Sequence, residues 1–230
     1  MSNQVATDIG VSGQITLETL AASAEQGVKT VINNRPDGEE ASQPLPVDMA
    51  DVLIVGAGTA GVSVATSLLN RDSTLKIVLI DPSSQHFYQA AWTLVGGGEY
   101  DAVSTCKPMA EQIPKACTWV KQAVTQFDPD SNAVVLDNGE TLGYKSLVVC
   151  PGLKLNWSAI AGLEETLGKH GVTSNYRYDL APYTWQLVQS MKAGKALFTQ
   201  PPMPIKCAGA PQKAMYLSCS HWEREGVLNN

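Results

Sequence analysis

The 230-residue sequence has no run of Lys or Arg: its 16 basic and 22 acidic residues are interspersed, for a formal net charge of −6. Nothing in that distribution can follow a phosphate backbone, so nucleic acid is not an expected partner. Long apolar runs are missing too. The longest, such as Val52–Val55 and Ile77–Ile80, are strand-sized and far short of the roughly 20 residues a bilayer-spanning helix needs. No transmembrane segment is expected. The opening residues MSNQVATDIG lack a basic start followed by an apolar stretch, so no export leader is expected. Five cysteines, Cys106, Cys117, Cys150, Cys207 and Cys219, form no Cys-x-x-Cys pair and no metal-ligand grid with the three histidines. Chemistry at individual thiols in a reducing, cytoplasmic setting is expected, with no metal and no disulfide framework.

What the chain does have is a 44% apolar composition, enough for one sizeable core or a core and a half. The stretch EEASQPLPVDMA, residues 39–50, reads as a linker. Ahead of it, VSGQI, LETLAASAEQG and KTVINNRPDG read as strand, helix and strand with too little apolar surface to fold alone. After it, DVLIVGAGTAGVSVATSLLNRDSTLKIVLID reads strand, glycine turn, helix, strand, the size of one βαβ unit. From Thr118 to Cys150 the pattern becomes short β runs with an Asn138-Gly139 turn signal, read as an antiparallel meander whose last strand returns to the parallel sheet. DLAPYTWQLVQSMKAG is patterned as a helix, KALFTQP as a strand, and PQKAMYLSCSHWEREG as a helix opened by Pro211. The expected fold is α/β: a Rossmann-like parallel sheet with a β-meander over residues 49–160, a fragment over 1–48, and the first part of a second nucleotide-binding-like half over 161–230.

Gly56-Ala57-Gly58-Thr59-Ala60-Gly61 matches the GxGxxG turn in its required context, after a buried strand and opening a helix. Gly56 permits the tight turn, Gly58 lets backbone approach a pyrophosphate, and Gly61 lets helix lie close to strand. The helix N-terminus would hold the phosphates with Thr59 and Ala60. Asp81, followed by Pro82, closes the second strand 20 residues after Gly61, where a ribose hydroxyl is bound in such units. FAD and NAD both carry that ribose, so the acid leaves the two open.

The β insertion ending in Ser146-Leu147-Val148-Val149-Cys150-Pro151-Gly152 resembles the second flavin motif of flavoproteins with two dinucleotide-binding domains, with Cys150-Pro151 where Ala-Thr is usual. GAGTAG, HFYQAAWTLVGGG, KPMAEQIPK, GYKSLVVCPGLKLNW, GVTSNYR and PIKCAGAPQKAMYLS together resemble the sulfide:quinone oxidoreductase family. Ala90 stands where relatives commonly carry proline. That resemblance implies FAD, held by Gly56, Gly58, Thr59, Ala60, Gly61, Asp81, Pro82, Gln89, Trp92, Pro151 and Gly152. Sulfide and a quinone are the implied small-molecule substrates. Peripheral attachment to the inner face of a bacterial membrane would come through a later part of such proteins.

The resemblance also marks Cys207 as a redox cysteine beside Lys206, with its partner cysteine in the family lying beyond this stretch. In related flavoproteins the loop after the KALFTQ strand carries a second glycine motif for NAD(P)H; PPMPIKCAGAP has prolines there instead. Read without the family, Cys207 is as readily an inert packed cysteine as a reactive one, although Lys206 and the following helix N-terminus both favour a thiolate. The implied reaction runs through a cysteine pair that sulfide attacks, leaving a persulfide while two electrons pass through FAD to the quinone. Cys219 follows twelve residues later, roughly 18 Å along a continuous helix, too far for a disulfide with Cys207.

Cys150 reads as a packed residue at a strand end, His86 as a structural histidine, and His170 and His221 as surface residues. Glu164 and Glu165 read as a solvated helix start. The five tryptophans read as packing. The front segment resembles the start of a tyrosine-phosphatase-like, sulfur-transferase-associated domain, whose Cys-x-x-Gly-x-Arg loop has no counterpart here; no phosphatase activity is expected. Two other readings stay open: an NADH-oxidising flavoprotein of the type II NADH dehydrogenase kind, and a non-catalytic nucleotide-binding remnant.

Overall fold

The computed structural model describes residues 49–201, 203 and 205–228. The strand, helix and strand expected before residue 39 lie outside them. The described chain forms two compact units. The first runs to His86 and resumes over Pro108–Leu153; the second holds Phe87–Lys107 and the chain from Lys154 onward.

The first unit is built on two apolar runs, β1 (Met49–Val55) and β2 (Ile77–Ile80), joined by α1 (Thr59–Arg71). They pair in parallel, Val52 opposite Ile77 and Val55 opposite Ile80. Near-continuous apolar strands are the signature of a sheet covered on both faces. One face packs Val52, Ile54, Ile77 and Leu79 against Ala65 and Leu68 of α1 and against Met109 of the short α3 (Met109–Gln112). The other gathers Leu53, Val55, Ile80, Val134, Leu136 and Tyr144. Leu53 and Ile54 are fully buried, each stabilising the fold by about 1.5–3 kcal/mol.

The six-stranded sheet runs in the order β5 (Thr118–Val120), β2, β1, β8 (Thr141–Val149), β7 (Ala133–Leu136), β6 (Val124–Asp128). β8 returns parallel to β1, Val55 opposite Val149, and the hairpin β6 with β7 continues antiparallel from it. Gly139, at φ 85°, turns β7 into β8 as the Asn-Gly signal requires. The expected meander therefore exists, but it starts later. β5 pairs in parallel with β2, Val78 opposite Thr118, and completes the Rossmann-like side of the sheet. The run TWVKQAVTQFD breaks at residues 121–123 because its two ends belong to opposite edges.

Short β3 (Gln85–Phe87) and β4 (Cys106–Pro108) pair with each other and carry the chain out of and back into the first unit. Between them lies α2 (Trp92–Gly96). Trp92 and Val95 of α2 pack on Ala181 of α5 (Leu180–Ser190) to form the core of the second unit. The run Gly96-Gly97-Gly98 has no Cβ to obstruct Asn175, Leu217 and Trp185, which close on its backbone. α4 (Leu163–Thr166) starts with the exposed acids Glu164 and Glu165, as expected. α6 (Ala210–Arg224) has Pro211 as its second residue, one place later than the sequence suggests.

Two expectations fail here. KALFTQP forms no strand, and Leu197 within it is 87% exposed. A strand exists only where another supplies its backbone partners, and none among the described residues lies beside this one. His221 is half-buried with its ring edge-on to Trp185 at 4.8 Å, so it is a packing residue of α6, not a surface one.

Candidate functional site

Gly56 to Gly61 connect β1 to α1 at the carboxyl end of the parallel strands, where ligands of doubly wound sheets sit. Each glycine has its own reason. Gly56 is left-handed at φ 94°, and a Cβ on it would meet the Cys150 carbonyl oxygen at 2.1 Å. A Cβ on Gly61 would lie 1.9 Å from the Gly56 carbonyl oxygen. Gly58 differs from both. Its φ is −67°, which any residue adopts, and a Cβ there would meet nothing within 4 Å.

Gly58 is the N-cap of α1, with no side-chain hydrogen bond capping it and no acid in the first turn. Thr59 and Ala60 follow, exposed. The helix therefore presents open backbone donors and the positive end of its dipole to whatever approaches. A pyrophosphate fits that cradle.

Asp81 is nearby but turned towards the loop. Its Oδ2 accepts the Ala57 amide hydrogen at 2.8 Å and its Oδ1 that of Ser83 at 2.8 Å. The Ala57 carbonyl in turn lies 3.4 Å from Nδ1 of His86, so Ala57 meets a side chain at both its amide and its carbonyl. Pro82 is exposed beyond Asp81. The β8 turn, Cys150-Pro151-Gly152, abuts Gly56 through the Cys150 carbonyl, and the Cys150 amide donates to Val55 O at 2.7 Å. Pro151 and Gly152 are exposed, Gly152 at φ 76°. Burial pushes the Cys150 and Cys117 thiols above their ordinary range, which makes both poor nucleophiles.

The second unit holds the other candidates. Cys207 is half-buried in the loop just before α6, and its carbonyl accepts from Ala210 N at 3.1 Å. None of the five cysteines is in a disulfide. Lys206 extends its ammonium to Oε1 of Gln89. Burial lowers the Lys206 pKa, with the neighbouring Cys207 opposing that shift. Gln89 Nε2 donates to the Tyr176 carbonyl at 3.5 Å, and the Tyr176 hydroxyl donates to the Cys207 carbonyl at 3.2 Å. Burial first, then the charge of Cys207, raises the Tyr176 phenol. Trp92 is buried, its ring edge-on to Phe87 and tilted against Tyr178, its indole N–H donating to Thr105 at 3.1 Å. Gly56, Gly58, Thr59, Ala60, Gly61, Asp81, Pro82, Pro151 and Gly152 thus lie in the first unit; Gln89, Trp92, Lys206 and Cys207 lie in the second.

Tyr176 is the site residue that sequence reasoning missed. It lies in GVTSNYR, a stretch noticed for its resemblance but not for any side chain. Among the described residues no group of acids, histidines and cysteines could hold a metal ion, and no helix is long and apolar enough to cross a membrane.

A family model described as pyridine nucleotide-disulphide oxidoreductase matches residues 50–187. A second, the phosphatase-like domain of beta-lactamase hydrolase-like protein, matches residues 3–70. The mitochondrial sulfide:quinone oxidoreductase of Dictyostelium discoideum is 39% identical over 210 residues, 90% of this chain and 46% of that protein. The mitochondrial sulfide:quinone oxidoreductase of Mus musculus is 36% identical over 176 residues, 76% of this chain and 39% of that protein. The crystal structure of the sulfide:quinone oxidoreductase of Aquifex aeolicus superposes with a TM-score of 0.61 at 22% identity, over 77% of this chain and 40% of that one, a likeness of fold. The chain spans less than half the length of these relatives.

Proposed function

Because the chain belongs to the pyridine nucleotide-disulphide oxidoreductase family, we propose that its first unit binds FAD and that Cys207 is a redox thiol in oxidation of sulfide with a quinone as electron acceptor. The observation that carries the flavin reading is Gly58. Neither its backbone conformation nor its surroundings in the protein require a glycine, so the missing side chain leaves room for a ligand at the uncapped end of α1.

In this reading the α1 amino end, with Gly58, Thr59 and Ala60, binds the pyrophosphate. Asp81 orients the turn through Ala57 and offers its remaining lone pairs to the adenosine ribose. Pro82, Pro151 and Gly152, all exposed, flank the bound cofactor in this reading. Bound flavin supplies a two-electron acceptor that can pass electrons on to a quinone. The chain's own contribution to the chemistry is the thiol. Hydrosulfide attacks one sulfur of a disulfide that includes Cys207, a new S–S bond forms the persulfide, and the other cysteine leaves as thiolate. Lys206 places a positive charge near Cys207. Gln89 and Trp92 serve the flavin in this reading, and in the second unit Gln89 also bonds Lys206 and the Tyr176 carbonyl while Trp92 bonds Thr105.

The test is the visible spectrum of the purified chain, supplied with FAD, before and after sulfide. A bound flavin band that bleaches with sulfide is the expected result. Bleaching by NADH and not by sulfide, or a folded chain that retains no flavin, overturns the reading.

A further inference from the structure

We propose that Gln89 and Tyr176 are positioning residues for Cys207, forming with Lys206 a hydrogen-bonded clamp on the loop that delivers the thiol to the N-terminus of α6. The inference rests on the redox role proposed for that thiol. Lys206 Nζ donates to Gln89 Oε1, Gln89 Nε2 donates to the Tyr176 carbonyl at 3.5 Å, and the Tyr176 hydroxyl donates to the Cys207 carbonyl at 3.2 Å. The Cys207 carbonyl also accepts from Ala210 N at 3.1 Å. The two residues of the thiol loop are thus gripped at one end through a side chain and at the other through the backbone.

Glutamine is the residue this arrangement selects. Its carboxamide accepts from an ammonium with one atom and donates to a carbonyl with the other. Glutamate could do only the first. Gln89 lies 117 positions from Lys206 and 87 from Tyr176, so two distant stretches of the second unit converge on the thiol loop.

The experiment measures alkylation of each cysteine in the 230-residue chain by iodoacetamide, resolved by peptide mass spectrometry, for the wild type and for Tyr176→Phe, Gln89→Ala and Gln89→Glu. Tyr176→Phe and Gln89→Ala should speed modification of Cys207 roughly three- to tenfold, the factor that one lost hydrogen bond is worth, while Cys219 in the same molecules is unchanged. Gln89→Glu keeps the acceptor for Lys206 and should fall between wild type and Gln89→Ala. An unchanged Cys207 rate, or a parallel rise at Cys219 that reports general loosening, overturns the proposal. Should Gln89→Ala not fold, amide hydrogen exchange over residues 205–210 in Tyr176→Phe decides: faster exchange supports the clamp and unchanged exchange removes it. Neither sulfide nor flavin enters these measurements, so a spectrum that fails to bleach with sulfide would remove the redox reading and leave the clamp standing.

Discussion

Asp81 accepts the amide hydrogen of Ala57 at 2.8 Å, so the end of β2 is tied to the turn that leaves β1 by the protein's own backbone. The same carboxylate takes the Ser83 amide at 2.8 Å. Asp81→Ala loses two charge-assisted bonds, each worth about 1.5–3 kcal/mol. Urea unfolding should show a loss of at least about 2 kcal/mol, with Asp81→Asn losing less. A residue that served the ribose alone would leave stability unmoved.

Gly58 and Gly61 of the turn should separate in mutagenesis. Gly61→Ala places a Cβ 1.9 Å from the Gly56 carbonyl oxygen and must push α1 off the sheet, a cost of about 1–3 kcal/mol or more. Gly58→Ala meets nothing within 4 Å at φ −67°, and its stability should stay within about 0.5 kcal/mol of wild type or rise slightly. Flavin affinity, followed by fluorescence on titration, should nevertheless fall in Gly58→Ala. Equal loss of stability in the two variants would contradict this account.

Cys117 and Cys150 should be the slow thiols. Burial raises both, so their contribution to stability is complete below the unfolded thiol value of about 8.5 and is lost as pH rises through the higher folded values. The double variant Cys117→Ala, Cys150→Ala should therefore show a flatter alkaline limb in unfolding free energy against pH. An unchanged limb would place the alkaline sensitivity elsewhere.

Asp51 makes the opposite contribution. The Lys76 amide donates to it at 2.8 Å and Lys145 pairs with it at 3.0 Å; the backbone bond is the largest effect and lowers its carboxyl, burial comes next and opposes it, and Lys145 adds to the lowering, so the carboxyl stays below the ordinary range. The stabilisation is present above the unfolded carboxylate value of about 3.9 and is lost as pH falls through the lower folded value. Asp51→Asn should flatten the acid limb of the stability profile, measured by chemical denaturation at stepped pH.

The βαβ core is readable in one dimension because its determinants are local. Gly56 and Gly61 sit where no other residue fits, and the apolar runs of β1 and β2 declare a sheet buried on both faces. KALFTQP alternates well enough to suggest a strand, but a strand is defined by a neighbour, and the pattern says nothing about whether one is there. Thr118–Val120 looks like part of the meander because its pairing with β2 depends on residues some 40 positions away. The thiol loop is the clearest case. Cys207 and Lys206 stand together in the sequence, while the residues that hold them, Gln89 and Tyr176, are marked by no spacing or composition.

Three peptide links, after His86, Lys107 and Leu153, carry the chain between its two units. A protease that nicks any single one of them splits the chain into two fragments with no disulfide to join them, yet the two units stay linked through the crossings that remain. Cloning the carboxyl-terminal stretch from Lys154 onward would discard Gln89 and the indole of Trp92, so such a shortened product should emerge with an open core and an untethered sulfur. Engineering that unit as an independent module requires splicing residues 87–107 back in.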